Sequence, residues 1–410
     1  MPASQIDGIP RAFATAVSQL NPRQESYVPE LTALILTQAR RYRASDVHLN
    51  PCETELQMQW RIDGVLCSVM GFDRELASRI TARLKVISGL LTYRTDVPQE
   101  GRVAREHSSS EVRVTTFPSL YGEKVAIRLF AEQDQLQMLD QLGLPGMVEV
   151  GLRTHLEATS GVILLTGPSG SGKTTTAYAC LRDVRDRSSG TRCLMTLEDP
   201  IESAIAGVIQ SQVKPAAGFS LTTGLRSLMR QDPDVILVGE IRDPETAEAA
   251  FQAALTGHLV VTTFHAGSAV EALTRLMEMQ LEPYLIRSAL RAVFCQRLLR
   301  RSCVSCSSKS SESTKSRNPA DKNPAHASLS ALCPACSGTG YAGRLVLAEL
   351  LEPEHPELVQ GLLSRADARR MSALAEATGM VTLAQVAANA VAEGQTTQEE
   401  VLRVLGGRRS

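Results

Sequence analysis

Residues 161–178 read GVILLTGPSGSGKTTTAY: a short apolar run that breaks into glycines and resumes in helix-forming residues. No other stretch constrains the fold as strongly. A continuous apolar strand is buried on both faces, and a glycine turn leading straight into a helix opens a β-α-β crossover. A mainly parallel sheet covered by helices on both sides is therefore expected. Gly167, Gly172, Lys173 and Thr174 fit the pattern GxxxxGK[ST] without a gap. Glycines let backbone N–H groups curl round phosphates, and the helix adds its positive end. Gly167, Pro168, Ser169, Gly170, Ser171, Gly172, Lys173, Thr174 and Thr175 are thus the candidate cradle for a nucleoside triphosphate, with ATP and Mg²⁺ as the expected ligands. Lys173 is placed by the β- and γ-phosphates and Thr174 on the magnesium ion.

The same alternation continues downstream. RCLMTLEDP, DPDVILVGE and HLVVTTFH read as further strands. Between the last two, DPETAEAAFQAALTG is a helix with Ala247, Ala250, Phe251, Ala254 and Leu255 as its apolar stripe and Gly257 as its stop. In a parallel sheet a ligand lies at the carboxyl ends of the strands. That rule gathers Glu198 and Asp199, then Glu240, then His265. Hydrolysis needs a carboxylate to orient or deprotonate water, another to organise the Mg²⁺ shell, and a donor toward the leaving phosphate. Gly239 precedes Glu240 where paired acids are usual, so one acid must do that work. His258 opens its strand, far from the phosphates, and a structural hydrogen bond is expected of it.

Ahead of this lies a different grammar. Residues 1–26 lack periodicity and are expected to form a flexible arm. Val28, Leu31, Ile35, Ala39 and Tyr42 recur at helical spacing. In ELQMQWRIDG the period drops to two, with Leu56, Met58, Trp60 and Ile62 on one face and the turn signal Asp63-Gly64 at the end. EVRVTTF and EKVAIRLF, flanking PSLYG, alternate likewise and carry Arg113 and Arg128 on their polar side. The expected organisation is an arm (1–26), an N-terminal α/β domain with an antiparallel sheet (27–130), a linker (131–142), a P-loop ATPase domain with a mainly parallel sheet (143–300), a tetracysteine zinc module (301–345) with a mobile loop (307–330), and a C-terminal helical region (346–410).

Composition narrows the function classes. With 410 residues and 43% hydrophobic content a large core is available. A net charge of −1 disfavours direct nucleic-acid binding. No run reaches the roughly 18 apolar residues of a membrane span, and the first residues carry no leader pattern, so a cytoplasmic or peripheral protein is expected. Of nine cysteines, Cys52, Cys67, Cys180, Cys193 and Cys295 stand singly. Cys303-x2-Cys306 and Cys333-x2-Cys336 form two knuckles of the kind that present four thiolates to a structural zinc ion.

These motifs occur together with RASDVHL, WRIDGVL, PQEGR, YGEKVAIRL, TLEDPIE, LMRQDPDVILVGEIRD, TGHLVVTTFH and TTQEEVLRVL. In that order and spacing, from about residue 27 to the C-terminus, the chain resembles the secretion ATPases of type II secretion and type IV pilus assembly, the general secretion pathway protein E class. The resemblance implies a RecA-like motor that works as a hexameric ring under an inner-membrane platform protein. It would meet the membrane only through partners, and its N-terminal domain would rotate against the motor domain as a pilus or pseudopilus is built. It also implies Glu198 as catalytic acid, Glu240 near Mg²⁺, His265 near the γ-phosphate, and Arg102, Arg113 and Arg128 reaching the nucleotide. Ala266-Gly267-Ser268 departs from the family's usual threonine, asparagine and acid. Only residues 1–26 precede the first helix, so recruitment through a further N-terminal domain is not expected. The other readings are a DNA-uptake or conjugation ATPase, a pilus retraction motor (a branch that usually lacks the paired CxxC), and a nucleotide-binding ring scaffold without turnover.

Overall fold

The computed structural model describes residues 8–104, 112–129, 138–306, 333, 335–336 and 338–406. The chain divides into two units, Met1–Gln133 with Arg300–Arg344, and Asp134–Leu299 with Leu345–Ser410. The expected mobile loop and most of the expected linker lie outside the described residues.

The first unit holds a six-stranded sheet in the order β3-β2-β1-β6-β5-β4. Its strands are β1 (Ala44–Pro51), β2 (Glu55–Ile62), β3 (Val65–Asp73), β4 (Gln99–Arg102), β5 (Val112–Ser119) and β6 (Gly122–Leu129). Every pairing is antiparallel. Alternation buries one side of each strand: Val47 and Leu49, Leu56, Met58 and Trp60, Val112 and Val114, Val125 and Ile127. Helices α1 (Gly8–Ser18), α2 (Tyr27–Arg41) and α3 (Arg74–Ile87) share a core with that face through Phe13, Leu31, Ile35, Ile80 and Leu84. Asp63 and Gly64 both have positive φ, 46° and 82°, the backbone of a two-residue hairpin turn.

Helix α1 falls where an arm without regular structure was expected. Ile9, Phe13 and Val17 are spaced i, i+4, i+8 and are all buried. Phe13 meets Trp60 edge-on, ring centres 5.5 Å apart. Three apolar positions make too short a stripe to stand out in the sequence, and the partner that holds them, Trp60, is distant along the chain.

The second unit contains a seven-stranded sheet in the order β13-β12-β7-β11-β10-β8-β9. These are β7 (Gly161–Thr166), β8 (Leu194–Glu198), β9 (Ile209–Gln212), β10 (Val235–Val238), β11 (Leu259–Phe264), β12 (Leu290–Ser302) and β13 (Tyr341–Leu351). From β12 through β7, β11, β10 and β8 to β9 each pairing is parallel. Both faces are covered, as a parallel sheet requires. Val162 and Leu164 enter one core, with Phe251 of α7 (Pro244–Leu255) and Leu273 of α8 (Ala269–Glu278). Ile163 and Leu165 enter the other, with Leu152 of α4 (Gly146–Leu156) and Leu181 of α5 (Lys173–Ser188). Further α-helices among the described residues are α6 (Leu221–Leu228), α9 (Pro283–Ala289), α10 (Pro356–Leu363), α11 (Ala368–Ala377), α12 (Leu383–Ala392) and α13 (Gln398–Leu405).

The Phe13–Trp60 contact makes a direct test of α1. Phe13→Ala should lower unfolding free energy by about 3–5 kcal/mol, the usual effect of emptying a fully buried aromatic site, read by urea denaturation followed through Trp60 fluorescence. A change under about 1 kcal/mol would mean that α1 is not packed on the sheet.

Candidate active site

The site forms where β7 ends. Beyond Thr166 the chain turns through Gly167, Gly170 and Gly172, with φ of 148°, 75° and 92°, and α5 begins at Lys173. At Gly167 space matters as well as φ, because a Cβ there would lie 2.5 Å from Ser171 Oγ and 2.6 Å from the Gln296 carbonyl. Lys173 folds back over the loop. Its Nζ donates to the Gly167 and Pro168 carbonyls at 2.8 and 3.1 Å. Burial holds this ammonium below the usual lysine range, and Glu240 opposes the shift. Pro168, Ser169, Gly170, Thr174 and Thr175 are exposed along the rim, while Ser171 is buried beneath them.

Adjacent strand ends supply the acids and the imidazole. Glu240 follows β10, and His265 follows β11. His265 Nε2 lies 2.7 Å from Glu240 Oε1, and Arg242 Nε donates to Oε2 at 3.0 Å. Burial, then the charge of Lys173, pushes the His265 pKa below its ordinary 6.5, with Glu240 pulling the other way. A neutral ring, the form this shift favours, would make the 2.7 Å contact to the Glu240 carboxylate with the proton on Nε2. Gly239 has a packing reason. Its N–H donates to Leu197 O at 2.8 Å, and a Cβ there would sit 3.3 Å from Glu198 Cα. A side chain at 239 would require the Glu198 backbone to give by a few tenths of an ångström.

Glu198 ends β8 and is 3% exposed. Its carboxylate accepts from the Tyr178 hydroxyl, from Thr196 Oγ1 at 2.6 Å and from Gln210 Nε2 at 3.2 Å. Burial and the adjoining carboxylate raise the Tyr178 pKa well above a free phenol's. Glu198 thus braces α5 against β8, while Lys173, Glu240 and His265 form a cluster of their own. His258 has the structural bond expected of it, Nδ1 to Ala253 O at 2.8 Å.

Two residues went unread in the sequence. Gln296 on β12 is 2% exposed. Its Nε2 donates to Ser171 O at 2.5 Å, and its Oε1 accepts from Thr176 Oγ1 at 2.7 Å, which pins the glycine loop from below. Arg297 beside it donates to Gly267 O at 2.6 Å. The available signal was a polar pair inside the apolar run AVFCQRLL.

Residues 21–403 match the family described as Type II/IV secretion system protein. The chain belongs to that family. Among curated relatives, type II secretion system protein E of Pectobacterium carotovorum subsp. carotovorum is 39% identical over 398 residues, 94% of this chain and 77% of that protein. Type II secretion system ATPase E of Vibrio cholerae serotype O1 is 38% identical over 391 residues, 94% and 76% of the two. In fold the chain is similar to the ATPase DotB of Legionella pneumophila, with a TM-score of 0.66 at 20% identity over 93% of this chain and 97% of that one. It is also similar to the pilus retraction motor PilT with bound ADP, with a TM-score of 0.58 at 24% identity over 90% and 96%. This member of the secretion family thus has the RecA-like P-loop fold with a mainly parallel sheet, a small antiparallel α/β domain ahead of it, a tetracysteine cluster and a helical tail.

In the first unit of this secretion-system protein the three expected arginines lie in one cross-strand row. Arg102 pairs with Arg113, Arg113 with Arg128, Arg128 with Asp46, and Asp46 with Arg61, across five strands. Like charges directly opposite repel. Asp46 offsets part of this, 3.2 Å from Arg128 and 3.7 Å from Arg61, and Glu100 lies 3.3 Å from Arg113.

The four cysteines of the two knuckles meet. All four Sγ atoms lie within 4.8 Å of one another, with Cys303–Cys333 at 3.9 Å and Cys306–Cys336 at 3.5 Å. Tetrahedral zinc, with Zn–S of about 2.3 Å, sets sulfurs about 3.8 Å apart. The donor set fits structural zinc: four protein ligands leave no position for a reacting water.

Two measurements follow. Reduced, tag-free protein should contain about one zinc per chain, and Cys336→Ser should lose most of it; metal-free folded wild type would contradict the assignment. His265, followed by NMR, should titrate below 6.5. Lys173→Met removes a like charge and should move that pKa up, whereas Glu240→Gln removes an opposite charge and should move it down. Reversed directions would show that these three groups do not share a site.

Proposed function

We propose that this chain is an ATPase motor that hydrolyses Mg·ATP and couples the cycle to assembly of a type IV pilus or a type II secretion pseudopilus. The observation that carries the reading is the convergence of Lys173, Glu240 and His265 at neighbouring carboxyl ends of parallel strands beside the glycine loop. The relatives named type II secretion ATPases support the direction of the coupling.

In the proposed cycle the loop amides and the α5 N-terminus receive the phosphates, and Lys173 exchanges the Gly167 and Pro168 carbonyls for phosphate oxygens. Thr174 would hold Mg²⁺, which would supply charge neutralisation at the phosphates. Glu240, oriented by His265 and Arg242, accepts a hydrogen bond from the attacking water and takes its proton. His265, neutral and held at Glu240, faces the γ-phosphate. Glu198 contributes as a catalytic acid only if its bonds to Tyr178, Thr196 and Gln210 open. Arg102, Arg113 and Arg128 form a preassembled cationic face for the triphosphate of the same or a neighbouring subunit. The working form is a hexameric ring on the cytoplasmic side of the inner membrane, docked on a platform protein and touching neither lipid nor nucleic acid directly. Cys303, Cys306, Cys333 and Cys336 would hold zinc, which would stiffen the tetracysteine module.

Purified full-length chain should release phosphate from ATP only with Mg²⁺. Lys173→Ala should lose nucleotide binding. Glu240→Gln should bind but turn over about 100-fold more slowly or worse. Undiminished turnover in either variant would overturn the site assignment, and nucleotide binding with no turnover by wild type in any oligomeric state would favour a scaffold. In cells lacking the gene, the wild type but not Glu240→Gln should restore surface filaments or secretion. Restoration of DNA uptake alone would point to the translocase reading.

A further inference from the structure

Between His265 and the start of α8 the chain runs His265-Ala266-Gly267-Ser268. Neither Ala266 nor Gly267 has a polar side chain with which to hold the loop. Its backbone is gripped from outside instead. Arg275 of α8 donates to the His265 carbonyl and lies over the Phe264 ring, 5.2 Å from its centre. Glu271, also on α8, accepts from Gly267 N–H at 2.7 Å. From β12, Arg297 donates to Gly267 O at 2.6 Å. From β13, Glu349 accepts from Ala269 N–H at 2.7 Å, and its second oxygen accepts from Leu383 N–H at 2.8 Å. Four charged side chains from three elements thus fix this short loop by charge-assisted bonds, the stronger class of hydrogen bond.

Gly267 is what admits Glu271. Its φ lies outside the left-handed region, so conformational freedom is not the reason for glycine here. Space is. A Cβ at 267 would come within 2.3 Å of Glu271 Oε2 and 3.7 Å of Arg297 Nη2. The atom in the way is the end of a flexible side chain. An added methyl would therefore push Glu271 off the Gly267 N–H while leaving the fold intact.

We propose that Glu271 and Arg297 are positioning residues for His265: they clamp both polar groups of Gly267 and so fix the imidazole as a donor to Glu240, and glycine is required at 267 to let Glu271 in. Ser268, the polar residue of this stretch, is engaged elsewhere: its Oγ caps α8 by accepting from Glu271 N–H at 3.0 Å. The proposal rests on the reading above, in which the Glu240–His265 pair acts on the triphosphate. It adds a requirement that reading does not contain, namely that the two residues gripping Gly267 set turnover without setting affinity.

The test uses full-length Gly267→Ala, Glu271→Ala, the double variant and Arg297→Lys, with His265→Ala as reference. Turnover and KM for Mg·ATP, dissociation constants for a fluorescent nucleotide analogue, and melting temperatures are measured. Gly267→Ala and Glu271→Ala should each lower kcat about tenfold, with KM and nucleotide affinity within about twofold of wild type. Because both act by removing the same bond, the double variant should be no slower than the slower single variant. Arg297→Lys keeps the charge but loses the planar fork, and should show the same split between kcat and KM. Melting temperatures of Gly267→Ala and Arg297→Lys should stay near wild type, so the proposal remains testable even if Glu271→Ala folds poorly. If His265→Ala is slow but Gly267→Ala and Arg297→Lys turn over normally, this inference is overturned and the function stands. Multiplicative losses in the double variant, or a raised KM at normal kcat, also overturn it. If His265→Ala itself turns over normally, the functional reading fails first.

Discussion

Parallel strand pairing sets the position of everything at the candidate site. β7, β11, β10 and β8 run the same way in register, so their carboxyl ends lie along one edge of the sheet. The glycine loop, His265, Glu240 and Glu198 are the residues that follow or end these strands. Had one strand been antiparallel, its polar terminus would lie at the opposite edge, a sheet's height away. The two apolar cores that cover both faces are the condition for this pairing, and alternate residues of β7 supply both of them. Packing and site are therefore one design: the same continuous apolar runs that demand double coverage also deliver polar strand ends to a common edge.

Charge is managed at that edge by mutual pairing. Glu240 is shared between His265 and Arg242, Lys173 rests on loop carbonyls, and Arg297 with Glu271 holds opposite ends of one peptide unit's neighbourhood. An ionised group left unpaired in such a place would be expelled or neutralised. Each of these bonds is also exchangeable: a phosphate oxygen can replace a carbonyl at Lys173, and a water can join Glu240 without displacing its partners, since a carboxylate accepts several bonds. Glu198 is different. Three donors occupy it within an almost closed pocket, which suits a brace better than a proton carrier.

Legibility in the sequence followed the range of the interaction. The glycine loop could be read because its requirement is local: three positive-φ positions and a lysine at the start of a helix. The edge cluster could be placed because strand alternation and parallel pairing together dictate where a strand's last residue goes. The reading reached Glu198's strand end but not its carboxylate, whose direction depends on Tyr178 from α5 and Gln210 from β9. Gln296 and Arg297 looked like any polar pair inside an apolar run, since their partners Ser171 and Gly267 are brought to them only by the sheet order. The arginine row was half visible. Arg113 and Arg128 could be assigned to a polar face, but their alignment with Arg102, Asp46 and Arg61 is a matter of register across five strands, which no local pattern encodes. Helix α1 was missed because its stripe is three residues long.

The central claim is that Lys173, Glu240 and His265 form one chemical site on the terminal phosphate of ATP. A structure of the protein with Mg²⁺ and a non-hydrolysable ATP analogue tests it most directly. The account predicts the γ-phosphate against Lys173 Nζ, with Glu240 and His265 facing it and an ordered water held by the Glu240 carboxylate. A nucleotide seated in the glycine loop with its γ-phosphate turned away from the Glu240–His265 pair would contradict the claim.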